Sequence, residues 1–217
     1  MSQWFGSVTH AQHGDDLFIL NLFTLMGIEK PSYLDIGAFD PTIISNTKLL
    51  YDRGSRGVNV EANPKLYDRF VEQRPEDTNL LIGVAPVEGN KIFYMYSDDH
   101  GRNTFCEKEM LDYSKTEKVW QEVERYCVTI MDIVYKYCGG MFPNLLSIDI
   151  EGLDYDVLST IPYDIIPMAQ PMVICVETRR EDTLKMSDML FNKGFYRLTR
   201  LGANLIFIRK DMYERAF

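Results

Sequence analysis

The sequence predicts an α/β fold in which a mostly parallel sheet carries helices on both faces. Near-continuous apolar runs of strand length alternate with helical patterns, which is typical of parallel strands buried on both sides. The segment FYRLTRLGANLIFIRK contains two β-rich runs around LGAN and predicts a terminal hairpin. The 217 residues suffice for one domain with a full-sized core. We therefore expect a single domain over residues 1–217.

Local signals define the elements in order. DDLFILNLFTLMG predicts a buried N-terminal helix at about 14–27. SYLDIG, GVNVEA and TNLLIGVAP predict the first three strands, separated by a helix over SNTKLLYDRG that Gly54 closes and a helix over PKLYDRFVEQR that Pro64 opens. NLLSIDIEG and PMVICVET predict two further strands, followed by the helices LDYDVLSTI and EDTLKMSDMLFNKG. With the hairpin, the sheet has seven strands and an antiparallel strand near its C-terminus.

An insert at about 90–140 separates the third and fourth strands. It contains KIFYMYS, the polar loop DDHGRNTF, a charged stretch from Glu107 to about Arg125 that predicts a helix, and YCVTIMDIVYKY. We expect this insert to contribute to a substrate site.

Composition narrows the range of functions. The formal net charge of −9 argues against a nucleic-acid partner, which requires a basic face. Four cysteines without a CxxC pair, and histidines without zinc-finger spacing, predict free thiols in a reducing compartment. There is no secretory signal at the N-terminus and no apolar run of the roughly 20 residues that span a bilayer. We expect a cytoplasmic protein without a membrane span.

The predicted strand ends carry an acidic rim. Ligands of open α/β sheets bind beyond the carboxyl ends of the strands, near the point where the strand order reverses. Such a rim repels a pyrophosphate but suits a ligand with a sulfonium or ammonium cation and a ribose diol. The residues at these ends are Asp35, Gly37 and Ala38; Glu61, Ala62 and Asn63; Gly83, Val84 and Ala85; Asp149 and Glu151; and Glu177.

Three features near the predicted strand ends each have a functional interpretation and a simpler structural one. Glu61, 26 residues after Asp35, can accept both ribose hydroxyls, or it is a solvated charge at a strand end. Gly37 lets the backbone approach a ligand, or it is an ordinary turn glycine. A helix beginning near Ser45 offers N–H groups to a carboxylate, or Ser45 serves only as its N-cap.

The run DIGAFDPTIISNTKLLYDRGSRGVNVEANP, together with LLSIDIEGLDYDVL, resembles the FkbM family of S-adenosylmethionine-dependent methyltransferases. The likeness is strongest to a subgroup with a D-I-G-A-x-x-P…S-N-T loop, and AQHGDDLFIL is similar to its S-Q-x-G-E-D opening. It extends from about residue 11 to beyond Glu177. The departures are Ala11, Asp15 and Ser55, the last of which stands where the family commonly has tryptophan.

The resemblance implies a Rossmann-like class I methyltransferase fold and S-adenosylmethionine as cofactor. Transferring the family's roles to the matching positions implies that the methionine end of S-adenosylmethionine is lined by Asp35, Gly37 and Ala38. The same transfer implies that Glu61 binds the ribose and that Ala62 and Asn63 lie beside the adenosine. Gly83, Val84 and Ala85 flank the adenine, and Gln12 reaches the cofactor from the first helix.

Methyl transfer to a hydroxyl benefits from a base or a metal ion that draws off the proton. Asp149 is the first candidate base, and Glu151 shares its face unless Gly152 bends the chain. The pair Asp149 and Glu177 resembles the Mg²⁺ site of catechol-type methyltransferases, or it is a plain part of the cofactor rim. His100 is the alternative base, or an exposed loop histidine.

The family resemblance points to a sugar or glycan acceptor, such as a terminal deoxyhexose, and to fusion or cooperation with glycosyltransferases. Two other classes stay open: a dehydrogenase-like enzyme, which would need a glycine-rich pyrophosphate turn, and a non-catalytic nucleotide-binding module. Candidate acceptor contacts are Arg102, Asn103, Arg179 and Arg180, with Tyr94, Tyr96, Phe105 and Trp120 as stacking surfaces.

Overall fold

A computed structural model describes residues 8–163 and 170–217. Its main sheet has seven strands in the order β3-β2-β1-β7-β8-β10-β9. Only β10 runs antiparallel to its neighbours, so the predicted sheet and hairpin are confirmed. The strands of this sheet are β1 (Tyr33–Ile36), β2 (Gly57–Glu61), β3 (Thr78–Leu81), β7 (Leu145–Ile148), β8 (Val173–Glu177), β9 (Phe195–Leu201) and β10 (Asn204–Arg209).

Helices cover both faces of this sheet because successive side chains of its strands alternate between two apolar clusters. Leu34 and Ile36 pack with apolar residues of α5, α6 and α7, whereas Tyr33 packs with α1 on the other face. No helix within the described ranges is long and apolar enough to cross a membrane. The helices are α1 (Asp15–Leu25), α2 (Lys48–Asp52), α3 (Pro64–Gln73), α4 (Glu107–Tyr113), α5 (Ile130–Tyr137), α6 (Asp154–Ser159), α7 (Thr183–Asn192) and α8 (Lys210–Ala216).

A second sheet of three strands, β4 (Gly83–Val84), β6 (Gln121–Val128) and β5 (Gly89–Met95), corrects two predictions. TNLLIGVAP is not one strand, because the chain leaves β3 after Leu81 and pairs Gly83 with Cys127 instead. The predicted helix from Glu107 to Arg125 ends at Tyr113. The segment that follows pairs with β5 as β6 and alternates in exposure, so strand pairing overrides its helical composition.

The first crossover also differs from the prediction. The helix expected near Ser45 begins only at Lys48 and has five residues. The Ser45 hydroxyl accepts the backbone N–H of Lys48 and a hydrogen bond from the buried guanidinium of Arg74, which also binds the carbonyl of Pro41. Arg74 therefore fixes the loop after β1, because its guanidinium binds the Pro41 carbonyl and the Ser45 hydroxyl inside the protein.

Candidate active site

The strand order reverses between β1 and β7. These two strands are parallel neighbours, and the chain leaves β1 toward β2 but leaves β7 toward β8 on the opposite side. Crevices at such points bind ligands in open α/β sheets. The residues that follow the two strands, Gly37 and Asp149, meet at this crevice, as the sequence predicted.

Gly37 is required by a close backbone approach. Its φ of +73° is left-handed, and a Cβ at this position would lie 1.7 Å from the carbonyl oxygen of Asp149. Any side chain would therefore push the ends of β1 and β7 apart. Both Gly37 and Asp149 line a narrow cavity, which we call the cofactor cavity because most of the residues that line it at the strand ends are ones for which the sequence predicts cofactor contacts.

Glu61, at the end of β2, is held by backbone donors on both carboxylate oxygens. Oε2 accepts the N–H of Phe39 at 2.9 Å, and Oε1 accepts the N–H of Asn63 at 2.8 Å. Burial nevertheless raises the pKa of Glu61 to about 7. Each oxygen keeps a second lone pair, and Glu61 lines the cofactor cavity. It is thus fixed in position with free acceptor capacity toward the cavity.

The cofactor cavity has a volume of about 50 Å³, well below the roughly 300 Å³ at which small-molecule sites begin. Three of its lining residues, Phe39, Phe93 and Phe105, are aromatic. A nucleoside can enter only if some of these side chains move apart. Phe105 is one of the predicted stacking residues, and the other predicted site residues that line the cavity are Ala62, Gly83, Val84, His100, Asn103 and Glu151.

Three carboxylates converge beside this cavity and form what we call the acidic cluster: Asp149, Glu151 and Glu177. One oxygen of each lies within 4.8 Å of the others. The pairing of β7 with β8 brings Asp149 next to Glu177. Glu151 has a φ of +52°, so the chain turns there instead of extending the strand, as the bend at Gly152 suggested. The carboxylate of Asp154 accepts the N–H groups of Ile150 and Gly152 and stabilises this turn.

Burial and mutual repulsion favour the protonated forms of two members of the acidic cluster, Asp149 and Glu151. Burial, followed by the charges of Glu177 and Glu151, raises the pKa of Asp149 well above its usual value. Burial and the charge of Glu177 raise the pKa of Glu151 to about 8, although Tyr113 donates a hydrogen bond to its Oε2 at 2.7 Å. Such a group can take up a proton near neutral pH.

A second, wider cavity of about 770 Å³ is lined in part by residues of the acidic cluster, and we call it the wide cavity. Glu151 lines both cavities, and Glu177 lines the wide one. Sequence reasoning singled out Glu151, Glu177, Arg179 and Arg180 here but missed the other lining residues. Among those with titratable side chains are His13, which precedes α1, Glu109 of α4, Lys185 of α7 and Arg200 of β9. No local pattern marks them, because only the tertiary fold brings them together.

Several predicted cofactor residues do not line either cavity. Asp35 is buried and accepts a 2.6 Å hydrogen bond from Thr47, and Ser45 is bonded to Arg74. Asn63 caps α3 by accepting the N–H of Lys65. The remaining three are Gln12, which is exposed, and Ala38 and Ala85, which are buried. Asp35, Ser45 and Asn63 thus bind other parts of the chain, and their predicted contacts with the cofactor stay predictions.

The position of His100 disfavours its predicted role as base. Its Nδ1 accepts the N–H of Arg102 at 3.1 Å, and its Nε2 lies 3.0 Å from a carboxylate oxygen of Glu117. Neither ring nitrogen is therefore free to take a proton from a substrate. Three of the predicted acceptor contacts have other surroundings. Arg102 pairs with Glu117, and Arg179 pairs with Glu109. Trp120, next to the small sheet, is 59% exposed and lines neither cavity.

Comparisons with known proteins identify a family and two distantly similar structures. A family model described as the methyltransferase FkbM domain matches residues 35–196. Methyltransferase FkbM from Methylobacillus flagellatus KT is 12% identical with a TM-score of 0.49; the match covers 83% of this chain and 44% of that one. A candidate RNA methyltransferase from Pyrococcus horikoshii is 10% identical with a TM-score of 0.45, over 91% and 83% of the chains. No protein of curated function matches significantly.

Proposed function

This chain belongs to the FkbM methyltransferase domain family, and we propose that it transfers a methyl group from S-adenosylmethionine to a hydroxyl of a sugar or glycan. The observation that carries the proposal is the position of the acidic cluster between the two cavities. Glu151 lines both of them. A methyl donor in the cofactor cavity and a hydroxyl in the wide cavity would therefore meet at the acidic cluster.

Residues of the cofactor cavity suit a nucleoside with a cationic end. The free lone pairs of Glu61 can accept both ribose hydroxyls, because the backbone already holds its carboxylate in place. Gly37 lets the ends of β1 and β7 approach each other, and the carboxyl group of Asp149 lies at the same end of the cavity. The other apolar lining residues, Ile82, Val84 and Leu66, offer a surface for a flat base.

Bound S-adenosylmethionine supplies an activated methyl group. The acceptor oxygen forms the bond to the methyl carbon as the carbon–sulfur bond breaks, and the hydroxyl proton passes to the acidic cluster. Asp149 is the proposed base because it lies at the strand end, lines the cofactor cavity and neighbours Glu177. Its raised pKa makes its carboxylate a stronger base than an exposed aspartate.

The acidic cluster also fits a magnesium ion. Three carboxylates within 4.8 Å of one another form an oxygen donor set of the kind hard cations prefer, and a cation would relieve their repulsion. Asp149 and Glu177, predicted from the sequence, would hold it together with Glu151. The ion would lower the pKa of a bound hydroxyl. If it takes part, EDTA abolishes turnover and added Mg²⁺ restores it; unchanged turnover in EDTA would exclude it.

The decisive experiment incubates the protein with isotopically labelled S-adenosylmethionine and a panel of sugars and glycans, and reads the products by mass spectrometry. We expect one labelled methyl group on an oxygen of at least one acceptor. Transfer to nitrogen or carbon only would contradict the proposal. A cooperating glycosyltransferase would supply the terminal sugar that this chain then methylates. The panel therefore includes oligosaccharides that end in a deoxyhexose.

The small volume of the cofactor cavity favours one competing hypothesis, a nucleotide-fold module without catalysis. Thermal unfolding separates the hypotheses. We expect S-adenosylhomocysteine to raise the Tm and NAD to leave it unchanged, since the loop after β1 has a single glycine, Gly37, and faces acidic groups. Stabilisation by S-adenosylhomocysteine without transfer to any acceptor would support the non-catalytic module.

A further inference from the structure

His13 and the other two histidines of the chain have different surroundings. His13 is exposed and lines the wide cavity, and neither of its ring nitrogens forms a hydrogen bond or ion pair within the described parts of the chain. By contrast, the Nδ1 of His10 lies 3.2 Å from the carbonyl oxygen of Thr42, and the ring of His100 is paired with Glu117. The imidazole of His13 is therefore available to a ligand in the wide cavity.

The fold holds His13 in place from two sides. Its backbone N–H donates at 3.3 Å to a carboxylate oxygen of the buried Asp15, at the start of α1. Its ring packs against Gly202, in the turn between β9 and β10, where a Cβ would lie 1.7 Å from the Cδ2 of His13. The φ of Gly202 is +56°, which also favours glycine. The absence of a side chain at this turn therefore makes room for the imidazole.

The turn that packs against His13 also borders the acidic cluster. Gly202 and Ala203 form the turn, and the next residue, Asn204, lies opposite Glu177 in the pairing of β10 with β8. The residues of this region that line the wide cavity are His13, Glu177, Gly202 and Ala203. The imidazole and one carboxylate of the acidic cluster thus lie along the same wall of the wide cavity.

The lining of the wide cavity favours a neutral ligand with several hydroxyls. Six carboxylates and five cationic side chains line it, so neither sign of charge predominates. A neutral imidazole offers one N–H donor and one acceptor nitrogen, and a hydroxyl can pair with either. His13 therefore suits the hydroxyl of a sugar better than it suits an ion.

We propose that His13 binds a hydroxyl of the acceptor other than the one that is methylated, and thereby orients the acceptor toward the acidic cluster. A hydrogen bond from a ring held in place restricts the orientations of the bound acceptor, which favours the reactive one. Asp149 keeps its role as the proposed base. The inference rests on the proposed methyl transfer for the identity of the acceptor as a sugar.

The contact can be tested without turnover by NMR of protein with ¹³C-labelled histidine, since the chain has three histidines. The protein, saturated with S-adenosylhomocysteine, is titrated with fucose, rhamnose and glucose, and His13→Ala assigns the signal of His13. We expect at least one sugar to shift this signal saturably while the signals of His10 and His100 stay in place. Binding that leaves the His13 signal unmoved, or no binding of any of the three sugars, would overturn the inference.

Kinetics test the same contact with the acceptor that the labelling experiment identifies. His13→Ala should raise the KM for the acceptor about two- to tenfold, as for the loss of one neutral hydrogen bond. The turnover number and the affinity for S-adenosylhomocysteine should change less. His13→Gln keeps a donor and an acceptor and should recover part of the loss. His10→Gln is the matched control, because His10 also precedes α1 but lines neither cavity; an equal rise in KM there would contradict the inference.

Gly202→Ala tests the position of the ring, because the added methyl group displaces the imidazole. It should raise the KM for the acceptor, and adding it to His13→Ala should raise the KM no further. Additive losses would overturn the inference, since the two residues would then act independently. Methyl transfer with an acceptor KM that His13→Ala leaves unchanged would overturn this inference alone. Sugar binding that shifts the His13 signal, without methyl transfer to any acceptor, would overturn the proposed function alone.

Discussion

Glu61 and the acidic cluster lie at the same edge of the sheet but are stabilised in different ways. Glu61 accepts one backbone N–H on each oxygen, from Phe39 and Asn63. In the acidic cluster, Asp149, Glu151 and Glu177 face one another, and Tyr113 provides a side-chain donor to Glu151 alone. The difference teaches that an acid held by fixed backbone dipoles suits binding, whereas acids that repel one another suit proton transfer or cation binding.

The largest expected effect is on turnover through the acidic cluster. Asp149→Asn keeps the shape of the side chain but removes the base, so we expect the turnover number to fall about 100-fold or more. Affinity for S-adenosylhomocysteine should change little. Steady-state kinetics and calorimetric titration measure the two effects, with the exposed Asp188→Asn as control. A loss of affinity equal to the loss of turnover would remove the distinction between the two regions.

A change at Glu61 should have the opposite profile. Glu61→Gln removes the charged acceptor, so affinity for S-adenosylhomocysteine should fall about ten- to 150-fold. Turnover at saturating cofactor should change much less. The same titration and kinetics apply, and Glu72→Gln, an exposed glutamate of α3, is the control. Unchanged affinity would show that Glu61 does not contact the cofactor.

Tyr113→Phe should have a smaller effect that is specific to the acidic cluster. The phenol donates to Glu151 and thereby lowers its pKa. Its removal raises that pKa, so the basic form of the acidic cluster appears at higher pH. We expect turnover at neutral pH to fall by about tenfold at most, and the acidic limb of the pH–rate profile to move upward. A profile that keeps its position would place Glu151 outside the reaction.

The smallest expected effect is on the stability of the ligand-free protein. Burial raises the pKa of Glu61 from 4.5 to about 7 and that of Asp154 from 3.8 to about 7. The folded state therefore holds protons that the unfolded chain releases, so the free energy of unfolding should fall as pH rises from about 4 to about 7. We expect the Tm to drop by about 2 °C or more over this interval. Calorimetry at several pH values measures it, and a rising Tm would contradict the raised pKa values.

The edge of the sheet that carries the candidate site could be predicted from the sequence. The rule that ligands of open α/β sheets bind beyond the carboxyl ends of the strands needs only the strand boundaries. It places Gly37, Glu61 and Asp149 at the carboxyl edge of the sheet, where all three line one cavity. Asp35 does not line that cavity: its carboxylate accepts a hydrogen bond from Thr47, and its predicted contact with the cofactor stays a prediction. The direction of a side chain at a strand end depends on where the strand stops, which apolar runs do not specify.

The rest depends on contacts between distant parts of the chain. The apolar run TNLLIGVAP contains no signal for the break after Leu81, since the break is made by pairing with Cys127. Glu109 is a buried charge that becomes interpretable only with Arg179, 70 residues away. Arg74 likewise looks like an ordinary surface arginine at the end of a helix, and it is fully buried because the loop after β1 needs its donors.

The chain enters the second sheet by a short change of direction after Leu81 and returns to the first through α5, and Phe93 and Met95 form a small apolar cluster with Ala62, which follows β2. The segment between β5 and β6 then supplies Phe105 to one chamber and Tyr113 to the other. The outlying sheet therefore contributes to both cavities and, through Tyr113, to the acidic cluster. Exchanging this sheet between relatives would change the cofactor cavity and the hydrogen bond to Glu151 together, so a transplanted sheet would need its matching carboxylates.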